Sequence, residues 1–103
     1  MSVYRFPPFA EFPISPESQI AKIVEEVQEI SDACSDMFFS QNIHGKLSSK
    51  YDESRNNYGI EILDVIHACE TLLRMEFTGD EVGELRTKVI EKNARRGYYG
   101  SVD

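Results

Sequence analysis

Four acidic residues have the types and spacing to hold a divalent cation: Glu26 and Glu29 within Glu25-Glu26-Val27-Gln28-Glu29, and Glu61 and Asp64 within Glu61-Ile62-Leu63-Asp64. Each pair has i,i+3 spacing in a segment of helical character, which sets two carboxylates on one helical face. Two such faces opposed across a helix pair make an oxygen-rich cage for a hard cation such as Mg²⁺, with Mn²⁺ as a substitute. Spacing alone is a weak signal. With 18 acidic residues among 103, about three acidic i,i+3 pairs arise by chance in a solvated helical chain. This chain has four, at 26/29, 29/32, 61/64 and 81/84, so the argument rests on where the pairs sit.

The element that must position the first pair starts at Ser15-Pro16-Glu17: a capping serine, proline at the first helical position, and an acid near the positive end. Ile20, Ile23, Val24, Val27, Ile30, Cys34, Met37 and Phe38 then recur at helical spacing. The pattern predicts a first helix of about six turns. On its wheel Glu26 borders the apolar stripe, Glu29 lies further round, and Glu25 points most nearly outward. A second helix is expected from about Asn57 to Phe77, with a broad apolar face from Ile62 to Phe77 and a narrower strip of Glu61, Asp64, Ala68 and Thr71. Gly79 is expected to end that segment, and a third helix to run from about Asp80 to Arg96, closing at Gly97.

Between the first two helices, residues 40–56 show no sustained period and read as a long connection with a short helical turn around 50–56. Residues 1–14 interleave Tyr4, Phe6, Phe9 and Phe12 with Pro7, Pro8 and Pro13, which excludes a regular helix and leaves two readings open: an extended arm whose aromatics dock on the body or on a partner subunit, or a frayed tail. Residues 15–99 then form one all-α domain, and residues 100–103 a C-terminal tail. Three helices cannot close a four-helix core, and the second has more apolar surface than two neighbours cover. A small helical bundle completed by homo-oligomerisation is the expected fold.

The net charge of −7 argues against binding a nucleic-acid backbone. Positive charge is nonetheless uneven, since five of the eleven Lys and Arg residues fall between Arg86 and Arg96. No apolar run of membrane-spanning length and no basic-then-apolar leader occurs, so neither a membrane partner nor a signal peptide is expected. Cys34 and Cys69 fall at apolar helical positions, which predicts buried free thiols and a reducing, cytoplasmic setting.

The order Glu-Glu-x-x-Glu, then Glu-x-x-Asp, then Lys88-Val89-Ile90-Glu91-Lys92-Asn93-Ala94-Arg95-Arg96-Gly97-Tyr98 resembles the MazG-like all-alpha nucleoside triphosphate pyrophosphatases over roughly residues 17–99. The 31 residues between Glu29 and Glu61 exceed the short connection of many members. The resemblance implies hydrolysis of a ribo- or deoxynucleoside triphosphate to its monophosphate and pyrophosphate, with Mg²⁺ on Glu26, Glu29, Glu61 and Asp64. Such a site would neutralise the triphosphate and orient a water toward the α-phosphorus, needing no nucleophilic side chain. Glu25 is a candidate water-orienting base, although its outward position also suits a surface role. Lys92, Asn93, Arg95 and Arg96 are candidate substrate contacts, although cations at a helix C-terminus are favoured by the dipole in any case. Tyr98 and Tyr99 are candidates to stack on a base or against a neighbouring subunit.

Two rival readings have their own features. Asp64-Val65-Ile66-His67 carries the acid-x-x-His spacing of di-iron bundles, although a lone His beside a helical core is more often packed or hydrogen-bonded. A non-enzymatic helical interaction module would instead leave the acids as solvated surface and use the apolar second helix to bind a partner.

Overall fold

The computed structural model describes residues 3–100, and they fold as three helices with no strand among them. Helix α1 spans Pro16–His44. Ser15 caps it through a reciprocal box: its hydroxyl accepts from the Ser18 N–H at 3.1 Å, while the Ser18 hydroxyl accepts from the Ser15 N–H at 3.3 Å. The helix stops at Gly45, whose φ of 82° belongs to the left-handed region open to glycine, and whose N–H donates to the Gln41 carbonyl. Its 29 residues give about eight turns, against the six expected.

Helix α2 spans Ser49–Arg74 and is capped by Ser48, whose side chain accepts from the Tyr51 N–H. It begins well before Asn57, so the long connection expected at 40–56 is not there. Only Gly45-Lys46-Leu47-Ser48 links the helices. The segments on either side are largely exposed helix ends, which need no apolar period to form and therefore showed none in the sequence. Gly79 does not end α2, as its position had suggested. The C-cap of α2 is Met75, and Gly79 is the first residue of α3, Gly79–Arg95. Thr78 caps α3 in a second reciprocal box, with the Glu81 carboxylate accepting from the Thr78 N–H at 3.0 Å. At the far end Gly97, with φ at 76°, lets the Tyr98 N–H turn back to the Asn93 carbonyl.

Helices α1 and α2 pack along one another as a hairpin, whereas α3 makes no extensive contact with either. The buried apolar residues among those described are Ala33 and Ala68, small side chains that bring the two backbones close. Much of the remaining apolar surface is open, including Val24, Val27, Phe38, Leu63 and Val89. The radius of gyration is 17.5 Å, against about 13 Å for a compact chain of this length. Cys34 is half-buried and Cys69 exposed, both free, which corrects the expectation of buried thiols. No helix among the described residues is long and apolar enough to cross a membrane.

The N-terminal arm is extended and fastened to α2 at several points. The buried Glu70 carboxylate accepts from the Arg5 N–H, at 2.9 and 3.1 Å to its two oxygens, and from the Phe6 N–H at 2.9 Å. Arg74 donates to the Phe6 carbonyl at 2.9 Å and lies 3.9 Å over the Tyr4 ring. The Tyr4 hydroxyl donates to the Phe77 carbonyl at 3.1 Å. Next along the arm, Phe6 and Phe9 both stack on His67, with centroid distances of 4.8 and 4.4 Å. Two phenyl rings this close and nearly parallel to one imidazole cannot share a face, so His67 lies between them.

Candidate metal site

Helix pairing decides which acids meet. Glu26 and Glu29 follow one another by nearly one turn of α1, and Glu61 faces them from α2. One carboxylate oxygen from each of the three lies within 4.8 Å of the others. The fourth expected ligand, Asp64, is exposed and not within that group. It instead shares a cavity of about 150 Å³ with Glu26, Lys22, Phe9, His67 and Ala68. Three of the four carboxylates therefore converge directly, and the fourth opens onto the cavity that Glu26 borders.

The electrostatics of this cluster are unbalanced. Lys22, one turn before Glu26, places its ammonium 3.6 Å from the Glu26 carboxylate. The Lys22 side chain is half exposed, so the pair is worth less than about 1 kcal/mol. It leaves Glu29 and Glu61 facing each other. Glu29 is exposed, yet partial desolvation beside its neighbours raises its carboxyl above the ordinary range, followed by hydrogen bonding to Glu61 and the Glu61 charge, while hydrogen bonding to Glu26 and the Lys22 ammonium act in the opposite direction. Oxygen Oε2 of Glu61 is buried and accepts no hydrogen bond from the described residues. A buried carboxylate oxygen without a donor is costly; a water, a proton shared with Glu29 or a cation would each satisfy it, and of these the cation would also offset the repulsion between the acids. The all-oxygen donor set suits Mg²⁺ or Mn²⁺.

Glu25 is exposed and lies outside the cluster. Lys92, Asn93, Arg95 and Arg96 occupy the end of α3; the three cations are exposed, Asn93 is half-buried, and none lines the cavity at Glu26 and Asp64. Tyr98 and Tyr99 are exposed beyond them. His67 stands on α2 as the acid-x-x-His spacing requires, but its ring is stacked by the arm and its Nε2 lies 3.2 Å from the Pro7 carbonyl.

Four further residues shape the site. Lys22 was legible as a cation four residues before Glu26. Phe9 and Glu70 were not, because their contacts join the arm to α2 across about 60 residues of sequence. Buried Gln19, in the first turn of α1, ties the helices by donating from its amide to the Ala68 carbonyl at 2.9 Å.

Compared with known proteins, this chain matches no family model, no curated protein and no solved structure. The functional reading therefore stands on the site's own chemistry and on the order of its motifs.

Proposed function

We propose that this chain is a Mg²⁺-dependent nucleoside triphosphate pyrophosphohydrolase of MazG-like type, cleaving an NTP or dNTP to the monophosphate and pyrophosphate. The observation that carries the reading is the meeting of Glu26, Glu29 and Glu61 across the α1–α2 pair, with a buried Glu61 oxygen that lacks a donor. Acidic pairs at this spacing arise by chance, but three carboxylates from two helices meeting at one point repel, and a hard cation held between them would offset that repulsion.

Glu26, Glu29 and Glu61 would hold the metal, and Asp64 would complete the ligand set from the next turn of α2. When bound, Mg²⁺ supplies neutralisation of the triphosphate and a water acidic enough to attack at the α-phosphorus. The chain's own part is to fix these carboxylates on rigid helices and to hold the triphosphate beside them. Lys22 is the cation nearest the acids, and Lys92, Asn93, Arg95 and Arg96 would reach substrate from α3 of the same or a second chain.

A homo-oligomer belongs to this reading. The open apolar faces of all three helices and the loosely attached α3 are what a second copy would cover. The same faces favour the alternative of a non-enzymatic helical interaction module.

The deciding experiment incubates the protein with ribo- and deoxynucleoside triphosphates, with Mg²⁺ or with chelator, and separates the products by chromatography. Metal-dependent monophosphate and pyrophosphate are expected. Diphosphate and phosphate would instead reject attack at the α-phosphorus, and no turnover by a folded sample would favour the interaction module.

A further inference from the structure

Phe9 and Lys22 each line two cavities. One is the space of about 150 Å³ that reaches Glu26 and Asp64. The other, about 450 Å³, lies between the arm and the start of α1, lined by Phe9, Phe12, Pro13, Gln19, Lys22 and Thr71, with the Glu11 carboxylate also on its wall. The second lies in the size range of small-molecule sites and has their character, apolar walls with a few polar groups. The two spaces meet at an aromatic ring and a cation.

The Phe9 ring is held by arm contacts rather than by burial. One face stacks on His67, whose other face is closed by Phe6. The backbone just before it is fixed by the three hydrogen bonds to Glu70 and by Arg74. Phe9 itself remains 50% exposed, so a phenyl surface stands outward on a rigid backing of stacked rings. An aromatic face presented in this way accepts a second planar ring, and base-on-aromatic stacking tolerates any base.

We propose that the N-terminal arm completes the ligand site, with Phe9 as the stacking platform for the nucleobase and Lys22 as the phosphate contact between base and acids. This rests on the nucleotide reading above and deepens it, because it names the wall that the base meets. The arrangement follows the substrate's own order, with planar base at Phe9, anionic phosphates at Lys22, and metal-bound phosphates at Glu26. When the Glu26 carboxylate binds a cation, the Lys22 ammonium loses its present partner and is available to a phosphate oxygen.

The chain contains no tryptophan, so Phe9→Trp introduces a single reporter at the platform. Its emission is followed while Mg²⁺ and a non-hydrolysable α,β-imido nucleoside triphosphate are added, with inorganic tripolyphosphate as the parallel ligand. Binding of both is measured by calorimetry on the unaltered protein. Saturable quenching by the nucleotide at its calorimetric affinity, with little from tripolyphosphate, is expected. Nucleotide binding without quenching, or equal quenching by both ligands, would overturn the platform and leave the nucleotide reading standing. Absence of calorimetric binding by either ligand would remove both. Phe9→Leu, which keeps an apolar side chain but removes the stacking face, is expected to weaken nucleotide binding about tenfold and leave tripolyphosphate binding unchanged. Unchanged nucleotide affinity in that variant also overturns the proposal, whatever the tryptophan reports.

Discussion

Glu29 of α1 and Glu61 of α2 face each other across the helix pair, with carboxylate oxygens no more than 4.8 Å apart. Two like charges at this separation hold each other in a higher-energy state than either would have in water. The predictions that follow use this relationship and the arm that packs beside it.

Removing one member of the pair should separate folding from chemistry. Glu61→Gln takes away a charge that repels Glu29, so the metal-free protein should keep its helical circular dichroism and melt no lower than the parent. Its affinity for Mg²⁺ should fall by more than about 100-fold, since even groups behind a metal's direct ligands are worth roughly 10- to 100-fold. Turnover should be lost with it, and Asp64→Asn should lose activity likewise. Near-normal turnover in either variant would take these residues out of the mechanism.

The acid pair at Glu81 and Glu84 provides a control. Glu81→Gln should leave activity intact, because glutamine also serves at the third position of a capping box. By contrast, Thr78→Ala should lower stability by about 1 kcal/mol through loss of the α3 cap, without touching metal affinity. Denaturant titration and Mg²⁺ calorimetry on the two variants read these effects separately.

The raised Glu29 carboxyl makes stability depend on pH in a definite direction. Its folded value lies above the ordinary 4.5, so the folded state holds this proton more tightly than the unfolded chain does. The associated stability is fully present below pH 4.5 and is lost as pH rises through the folded value. Measured in chelator, the melting temperature of Glu29→Gln should therefore lack one downward component present in the parent over that window. Mg²⁺ acts in the opposite sense, binding the deprotonated cluster, so its stabilising shift should grow with pH. A Mg²⁺ shift that shrinks with rising pH through this range would count against the cluster as the cation's site.

The arm should be part of the fold rather than an appendage. Glu70→Ala leaves the Arg5 and Phe6 N–H groups without their acceptor and should cost about 1–3 kcal/mol. It should also release the arm, seen as faster proteolysis near Phe6. If stability and cleavage match the parent, the arm is not held through Glu70.

The open apolar surface predicts self-association. Sedimentation should give a mass of two or more chains, and Leu63→Glu, at a half-exposed apolar position of α2, should shift it toward monomer with a lower melting temperature. A stable, folded monomer in the parent would leave those faces to another partner.

Much of this architecture could be read locally. Ser15 with Pro16 started α1, Gly97 closed the last helix, and the alternation of apolar residues with Glu26 and Glu61 at the stripe's edge marked the two acidic faces, because capping and helical periodicity are properties of neighbouring residues. The length of α1 and α2 was hidden where their exposed ends carry no apolar period, so that a connection of four residues, Gly45 to Ser48, looked like one of seventeen, 40–56. Tertiary structure alone decided the rest. It brought Glu61 to Glu26 and Glu29 while leaving Asp64 at the cavity's edge, and it bound Arg5 and Phe6 to Glu70 so that Phe9 stands beside Lys22. Such contacts depend on helix rotation and on the docking of a proline-rich arm, and neither leaves a repeating mark in the order of the residues.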